Sequence, residues 1–489
     1  MRDEGRGGPH SAGRPSSLAR AAVLCLLVAL GTLLRAAPIA DRPLSLDEAL
    51  TWRTAGKPWT DFLTWSHHPD HPPLSFALVR AATDLAGTDA EWVLRTPAVV
   101  AGALAIPAAA AVGAAFSPTA GMALAALVAL DPELVEQGRV ARMYPLFLLL
   151  LLLAIALSAR LAEGHDRRHG VWIALGLVLG AALWTHALGV VVWLAVLATL
   201  PLAGRPARGR LAGSLLLSGA LAIPGVLAIL RGDLGGRGRP EGIVDVASEW
   251  RSVAGGILGL FGIGVAGWLL VLAGIAGLAV FARRAPVSAF LFGAVAAFTA
   301  VAVLLAAPGR PFGIDRYLIP VHATVLAGLS ALAASPRRPR WRMAALVSAA
   351  FVVVTLAWRA LPRDLPSPHR LGAVVRALAP ISKGTPVIFR PAYLRHVGAY
   401  YGIRPAVEEP ERGTVWIVTQ DQRFLRLGTG GALPGEVRRR LPAVAARRGI
   451  AVDLEALDRT LRLKRALAIR IGEEGVRILT PEGLGDAGT

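Results

Sequence analysis

The chain has 489 residues, of which 54% are hydrophobic and only 17% charged. That balance excludes an ordinary soluble globular protein, whose surface would need more polar residues. The formal charge of +19 would suggest nucleic acid in a soluble chain, but here the basic residues gather in short loops between apolar runs. That is an orientation signal in a membrane, with lipid headgroups as partners and no nucleic acid. The single cysteine, Cys25, excludes an intramolecular disulfide.

Residues 1–17 are polar, basic and low in complexity, and they predict a disordered cytoplasmic tail. The apolar run that follows continues to about residue 40 without a cleavage site, so it reads as a first span and not as a signal peptide. Run length predicts about eleven spans. They fall near 18–40, 92–115, 119–135, 143–160, 170–187, 189–203, 211–230, 253–281, 286–306, 317–334 and 343–361. Short Arg-rich loops, "RLAEGHDRRHG", "RPARGR", "ARRAP" and "SPRRPRWR", mark the cytoplasmic side. The other side then receives the loop 41–90, the turns at 135–142 and at His186, the loops 231–251 and 307–316, and everything after 361. Arg139, Arg142, Arg237, Arg239 and Arg316 break the orientation rule there and need another task.

The loop 41–90 is too long for a simple connector. Asp47 and Glu48 open it, and "EALTWRTAGKPWTDFLTW" mixes aromatics with charge, as interfacial amphipathic helices do. In "HHPDHPPLSFALVR", Pro72 and Pro73 fix a rigid turn that holds Asp70 and His71, and a helix starts just beyond. Arg142 in "EQGRVARMYPL", His186 in "WTHALG", and Arg316 with Tyr317 in "GIDRYLIP" each lie at the outer end of a span. A charge near hydrocarbon costs about 2.5–3.5 kcal/mol on insertion scales, so a shared polar cavity is the economical arrangement. After residue 361, "TPVIFR" and "GTVWIVTQ" read as strands. "PHRLGAVVRALAP" and "LEALDRTLRLKRALAIRIG" read as helices, which together predict a small α/β domain.

Each signal has a plainer counterpart. An acidic pair is commonly a solvated surface feature, His71 a turn residue and His186 an interface residue. Arg142 and Arg316 could snorkel to headgroups, and the tryptophans are ordinary interfacial anchors. The weight lies in convergence, since all these clusters fall on one side of a topology drawn from loop charge alone.

The Asp47–Glu48 pair after the first span and "PDHPPL" resemble the GT-C glycosyltransferases. The likeness is to glycosyltransferase family 39, with its protein O-mannosyltransferases, and to the lipid A aminoarabinose transferases. "RTPAVVAG", "GRVARMYPLFLLLLLLAIAL", "RYLIP" and "AYLRHVGAYYG" add to the resemblance. It implies a mainly α membrane protein of GT-C fold, with a disordered tail (1–17), a transmembrane catalytic domain (18–361) and an extracytoplasmic α/β domain (362–489). It implies a multi-pass plasma-membrane enzyme that moves a sugar, mannose or another hexose or pentose, from a polyprenyl-phosphate donor to an acceptor hydroxyl, with inversion. The acceptor is a protein, lipid or glycan. Carried over, Asp47 falls on the catalytic base with Glu48 beside it. Asp70 and His71 fall near the donor phosphate, and Tyr317 in the carrier-phosphate site. Leu50 departs from relatives that carry a basic residue nearby, with Arg53 as the substitute.

The residue types suit that chemistry. A carboxylate can take the proton of an attacking hydroxyl, and fixed cations stabilise the charge that builds on a departing phosphate. Arginine matches phosphate oxygens with its planar fork, which gives Arg139, Arg142 and Arg316 a task, with His186 alongside. Asp70, His71 and His186 are the candidates for holding a divalent metal, though no ligand spacing requires one. A transporter or flippase of lipid-linked sugars would also need intramembrane arginines, but no internal repeat is evident. A catalytically silent membrane scaffold is the third reading.

Overall fold

The computed structural model describes residues 17–64, 71–163, 169–230, 265–306, 317–335, 367–382, 385–390, 394–405, 415–420, 466–472, 475–480 and 483–486. Helix α1 spans Ser17–Ala36. The loop after it folds into α2 (Leu46–Ala55), α3 (Trp59–Leu63) and α4 (Leu74–Ala86). The helix expected after the double proline begins there, with Pro73 as its N-cap. Then follow α5 (Glu91–Ala114), α6 (Pro118–Leu130), α7 (Pro132–Gly138), α8 (Tyr144–Ala162), α9 (His169–Thr185), α10 (Gly189–Leu197), α11 (Arg205–Leu221) and α12 (Ile223–Leu230). Beyond them lie α13 (Val265–Ala282), α14 (Pro286–Ala306) and α15 (Ile319–Ala334).

This is a multi-pass membrane protein. Among the described residues, four helices are long and apolar enough to cross a bilayer, and five if α6 and α7 count as one bent span. Shorter apolar helices, such as Gly170–Thr185 and Ile319–Ala334, pack among them. The apolar run at 343–361 lies outside the described residues. Ile106, Leu124, Leu151 and Phe292, from four different helices, are fully buried in one continuous core, while Leu104, Leu216 and Leu269 face outward.

The span expected at 119–135 is broken, with a bend of 58° between α6 and α7. The cause is local. Asp131 is extended (φ −60, ψ 125) and caps α7, its Oδ1 accepting the N–H groups of Glu133 (3.1 Å) and Leu134 (3.0 Å). Pro132 has no N–H to give to the carbonyl one turn back, and Glu133 has turned its own to Asp131. The carbonyls of Val128 and Ala129 are thereby orphaned, and Arg35 of α1 donates to both, at 2.9 and 3.0 Å. On the other side of the break, Asp131 Oδ2 stands 3.0 Å from Nε2 of buried His322 in α15. The break is thus satisfied by side chains from two neighbouring helices.

The C-terminal residues contain α16 (Ser367–Ile381), α17 (Arg395–Tyr400) and a five-stranded sheet in sequential order. Its strands are β1 (Val387–Arg390), β2 (Val415–Gln420), β3 (Ala466–Gly472), β4 (Gly475–Thr480) and β5 (Gly483–Asp486). β1 and β2 coincide with the two expected strands and pair in parallel, Ile388 opposite Ile417. The remaining pairs are antiparallel. Part of the stretch read from sequence as a helix is strand β3 instead. Leu467, Ile469 and Ile471 recur at every second position there, a strand period that the charged residues before it obscured. Leu371, Val374, Val375 and Leu378 of α16 share a core with Val387, Phe389 and Val418, and also with Leu44, Ala49 and Leu94 from the membrane half.

Candidate active site

The acidic pair occupies the first turn of α2, where adjacent positions have opposite fates. Ser45 is the N-cap of a reciprocal capping box: its hydroxyl accepts the Glu48 N–H at 3.3 Å, and Glu48 Oε2 accepts the Ser45 N–H at 2.9 Å. Glu48 therefore turns inward and is fully buried. Asp47, one residue earlier, is half-buried.

Glu48 lies at the centre of a polar frame. Arg95 of α5 donates to it twice, Nε to Oε1 at 2.7 Å and Nη2 to Oε2 at 3.0 Å. Ala141 N donates to Oε1 at 3.0 Å, and His369 Nδ1 lies 3.5 Å from Oε2. Burial alone would raise the Glu48 pKa, but the Arg95 charge and hydrogen bonds, with His369 and the Ser45 N–H, outweigh it and hold it at about 2. Arg95 spends its remaining N–H groups on the carbonyls of Ile39 (2.6 Å), Arg42 (2.8 Å) and Pro43 (3.2 Å). Arg139 belongs to the same frame. Its Nε and Nη2 donate to Leu34 O at 2.9 and 2.7 Å, closing the end of α1, and its Nη1 reaches Glu136, which also pairs with Arg42 at 2.7 Å. Glu48 and Arg139, both sequence candidates for direct chemistry, sit in this buried scaffold instead, because each is enclosed by partners on several elements.

Arg142 differs. Its Nη1 lies 3.4 Å from Asp47 O and 3.5 Å from Thr51 Oγ1, and its Nη2 lies 3.5 Å from His71 Nε2. These contacts are long, and its Nε is buried with no hydrogen-bond partner. A guanidinium this loosely held, beside Asp47 and His71, can accept an anion at little cost in broken bonds. Next to it stands an aromatic wall. The ring of His186 lies 5.8 Å from Tyr144, 5.3 Å from Phe147 and 5.7 Å from Tyr317, and Tyr144 meets Tyr317 edge to face at 6.5 Å. His186 accepts the Leu188 N–H on Nδ1 at 3.0 Å, which fixes its ring at the α9–α10 break.

The structure therefore gathers Asp47, His71, Arg142, His186 and Tyr317 from five separate segments at one end of the bundle. Asp70 and Arg316 lie outside the described residues. Among the described residues, no group of three or more His, Cys, Asp or Glu is placed to hold a metal ion. Arg53 contacts His396 of α17 at 3.0 Å. Arg95 was missed as a functional residue, although "SLDE" is a readable capping-box signature that directs Glu48 inward and implies a buried partner.

A family model described as dolichyl-phosphate-mannose-protein mannosyltransferase matches residues 70–229, about a third of the chain. That span holds His71, Arg142 and His186 but not Asp47 or Tyr317. ArnT from Cupriavidus metallidurans, bound to undecaprenyl phosphate, superposes with a TM-score of 0.52 at 15% identity over 83% of this chain and 94% of that one. The fold is that of the GT-C glycosyltransferases. The apo oligosaccharyltransferase from Archaeoglobus fulgidus gives a TM-score of 0.53 at 14% identity, covering 78% of this chain. The chain spans 64% of that GT-C protein's length, less than two thirds. AglB from Archaeoglobus fulgidus, in complex with an inhibitory peptide and a dolichol-phosphate, gives 0.53 at 13% identity over 86% of this chain and 72% of that one. No curated protein matches the sequence.

Proposed function

We propose that this chain is a membrane glycosyltransferase that moves a sugar from a polyprenyl-phosphate donor to an acceptor hydroxyl. The observation that carries the reading is a loosely bonded Arg142 that meets the Asp47 backbone carbonyl and the His71 ring, beside the aromatic wall of Tyr144, His186 and Tyr317. The GT-C fold supports it, as do the lipid phosphates held by ArnT and AglB.

In this reading the acceptor hydroxyl attacks the anomeric carbon from the face opposite the phosphate. A carbon–oxygen bond to the acceptor forms while the bond to the phosphate oxygen breaks. The electron pair leaves with the phosphate, and the hydroxyl proton passes to Asp47. The product configuration is inverted. The leaving phosphate gains negative charge, which Arg142 and His71 stabilise from fixed positions. It needs no protonation to leave, so one carboxylate suffices, unlike glycoside hydrolysis. Glu48 and Arg95 hold the frame. The reaction face, the 41–90 loop and residues 362–489 lie on the extracytoplasmic side of about eleven spans, as loop charge indicates. Mannose or another hexose or pentose is the sugar, and a protein, lipid or glycan the acceptor.

The test is cell-free transfer of labelled sugar from a polyprenyl-phosphate donor in membranes with and without the protein. Protein-dependent transfer supports the reading. Protein-dependent movement of the intact lipid-linked sugar across a vesicle bilayer, with no transfer, would replace it with transport.

A further inference from the structure

The connection 39–44, which joins α1 to the start of α2, is gripped from two sides. Arg95 holds it from the membrane half through the carbonyls of Ile39, Arg42 and Pro43. The opposite grip comes entirely from residues far later in the chain. His369 of α16 places Nδ1 2.9 Å from Pro43 O. Arg376, two turns along α16, donates to Asp41 O at 3.2 Å. Tyr401, just after α17, accepts the Leu44 N–H on its hydroxyl at 2.8 Å and donates to Glu91 at 3.3 Å. Between these contacts Gly372 lies against Leu44 O so closely that a Cβ there would overlap it. Every one of these contacts ends on the backbone of the connection, or beside it.

Such a grip is more than burial requires. His369 is fully enclosed, yet its Nε2 has no hydrogen-bond partner, so the imidazole is held in place for what Nδ1 does. The residue after Leu44 is Ser45, the N-cap, and two residues further stands Asp47. A shift of Leu44 is therefore a shift of Asp47, whereas Arg142, His71 and Tyr317 belong to other elements.

We propose that α16 and Tyr401 form a positioning element for Asp47. His369, Gly372 and Tyr401 set where the base stands without touching substrate. The proposal rests on the assignment of Asp47 as the base. A misplacement of about 1 Å can cost on the order of a hundredfold in rate with binding intact, so the grip should be felt in turnover and not in affinity for the lipid phosphate.

The experiment compares the full-length protein with Gly372→Ala and Tyr401→Phe. Gly372 lies inside α16, where alanine would otherwise favour the helix, so any loss comes from the overlap with Leu44 O. Turnover in the transfer assay should fall at least tenfold in Gly372→Ala and several-fold in Tyr401→Phe. Binding of undecaprenyl phosphate should stay within twofold, and amide exchange across residues 41–48 should accelerate. Wild-type turnover with unchanged exchange in either folded variant would overturn the proposal, as would parallel losses of turnover and phosphate binding. If Gly372→Ala does not fold, Tyr401→Phe decides by the same readouts. Asp47→Asn separates the two layers. Full turnover in that variant refutes the base assignment, while faster exchange over 41–48 in Gly372→Ala still reports the grip.

Discussion

Glu48→Gln is the sharpest test of how the acidic pair divides its labour. Four donors converge on the Glu48 carboxylate: Arg95 Nε at 2.7 Å, Arg95 Nη2 at 3.0 Å, Ser45 N at 2.9 Å and Ala141 N at 3.0 Å. An amide accepts on one atom only, so its NH2 must face two donors in either orientation. The substitution also leaves the Arg95 guanidinium buried, with both side chains at 0% exposure in the native pair and the counter-charge gone. Breaking a buried pair by removing one partner costs about 3–5 kcal/mol. The same change at Asp47, half-buried at N2, should alter stability by less than about 1 kcal/mol. Thermal unfolding of both variants in one detergent, with turnover normalised to folded protein, checks this. Glu48→Gln should lower the melting temperature sharply, and Asp47→Asn should abolish transfer with the transition unmoved. A Glu48→Gln protein that unfolds like the wild type yet has lost turnover would refute the division and return Glu48 to the chemistry.

Asp47→Asn should lower transfer about 10²- to 10⁴-fold, the range of general-base assistance, with undecaprenyl phosphate binding retained; titration and turnover on the same preparation check it. Arg142→Lys should weaken phosphate binding at least tenfold with stability unchanged, because an ammonium loses the planar fork. Arg139→Lys should do the reverse, since its bidentate bond to Leu34 O is structural. The Glu48 pKa, held at about 2 against 4.5, means the unfolded chain binds a proton more readily. Its stabilisation is therefore complete above about pH 4.5 and drains away as pH falls toward 2. Denaturation across that window should show this slope in the wild type, and Glu48→Gln should flatten it. With Cys25 replaced by serine, cysteines placed in 57–64 should react with an impermeant thiol reagent on intact cells, and cysteines in 336–342 should not; the opposite pattern would invert the topology.

Much of the site was legible because its residues are anomalous one at a time. Arginines at the ends of apolar runs and a base before a double proline stand out against hydrocarbon, and Asp47, His71, Arg142, His186 and Tyr317 are brought to one end of the bundle. What sequence alone did not separate was the arginines left free to meet a ligand in the proposed reading from those spent on the protein's own carbonyls. Arg139 and Arg142 lie three residues apart in the same turn region, with equal claims by composition. Only the fold shows that one caps α1 and the other is left with a partnerless Nε. Arg35 was hidden for a related reason: its partners are carbonyls orphaned by Asp131–Pro132, and backbone vacancies leave no mark at the position of the residue that fills them. Strand β3 was lost because a period-2 pattern follows directly on charged residues that read as helix.

The adjacent carboxylates follow from helix geometry. Successive residues in a first turn point about 100° apart, so a side chain at N3 that folds back to the N-cap leaves its neighbour at N2 facing elsewhere. A capping box directly ahead of an inward-packed helix thus sends two like residues different ways: one carboxylate is enclosed by fixed donors, and the other, the proposed base, leaves the helix in another direction. The first can be ionised and buried only because Arg95 meets it with matched geometry. That pairing in turn fixes Ala141 N, the residue before Arg142. One carboxylate therefore sets the spacing between the proposed base and the proposed phosphate clamp, because its capping bond holds the helix that carries Asp47 and its other oxygen holds the turn that carries Arg142. A base and a cation that must act on opposite faces of one sugar need that spacing kept to well under an ångström, and a buried ion pair bonded to both carriers is a stiff way to keep it.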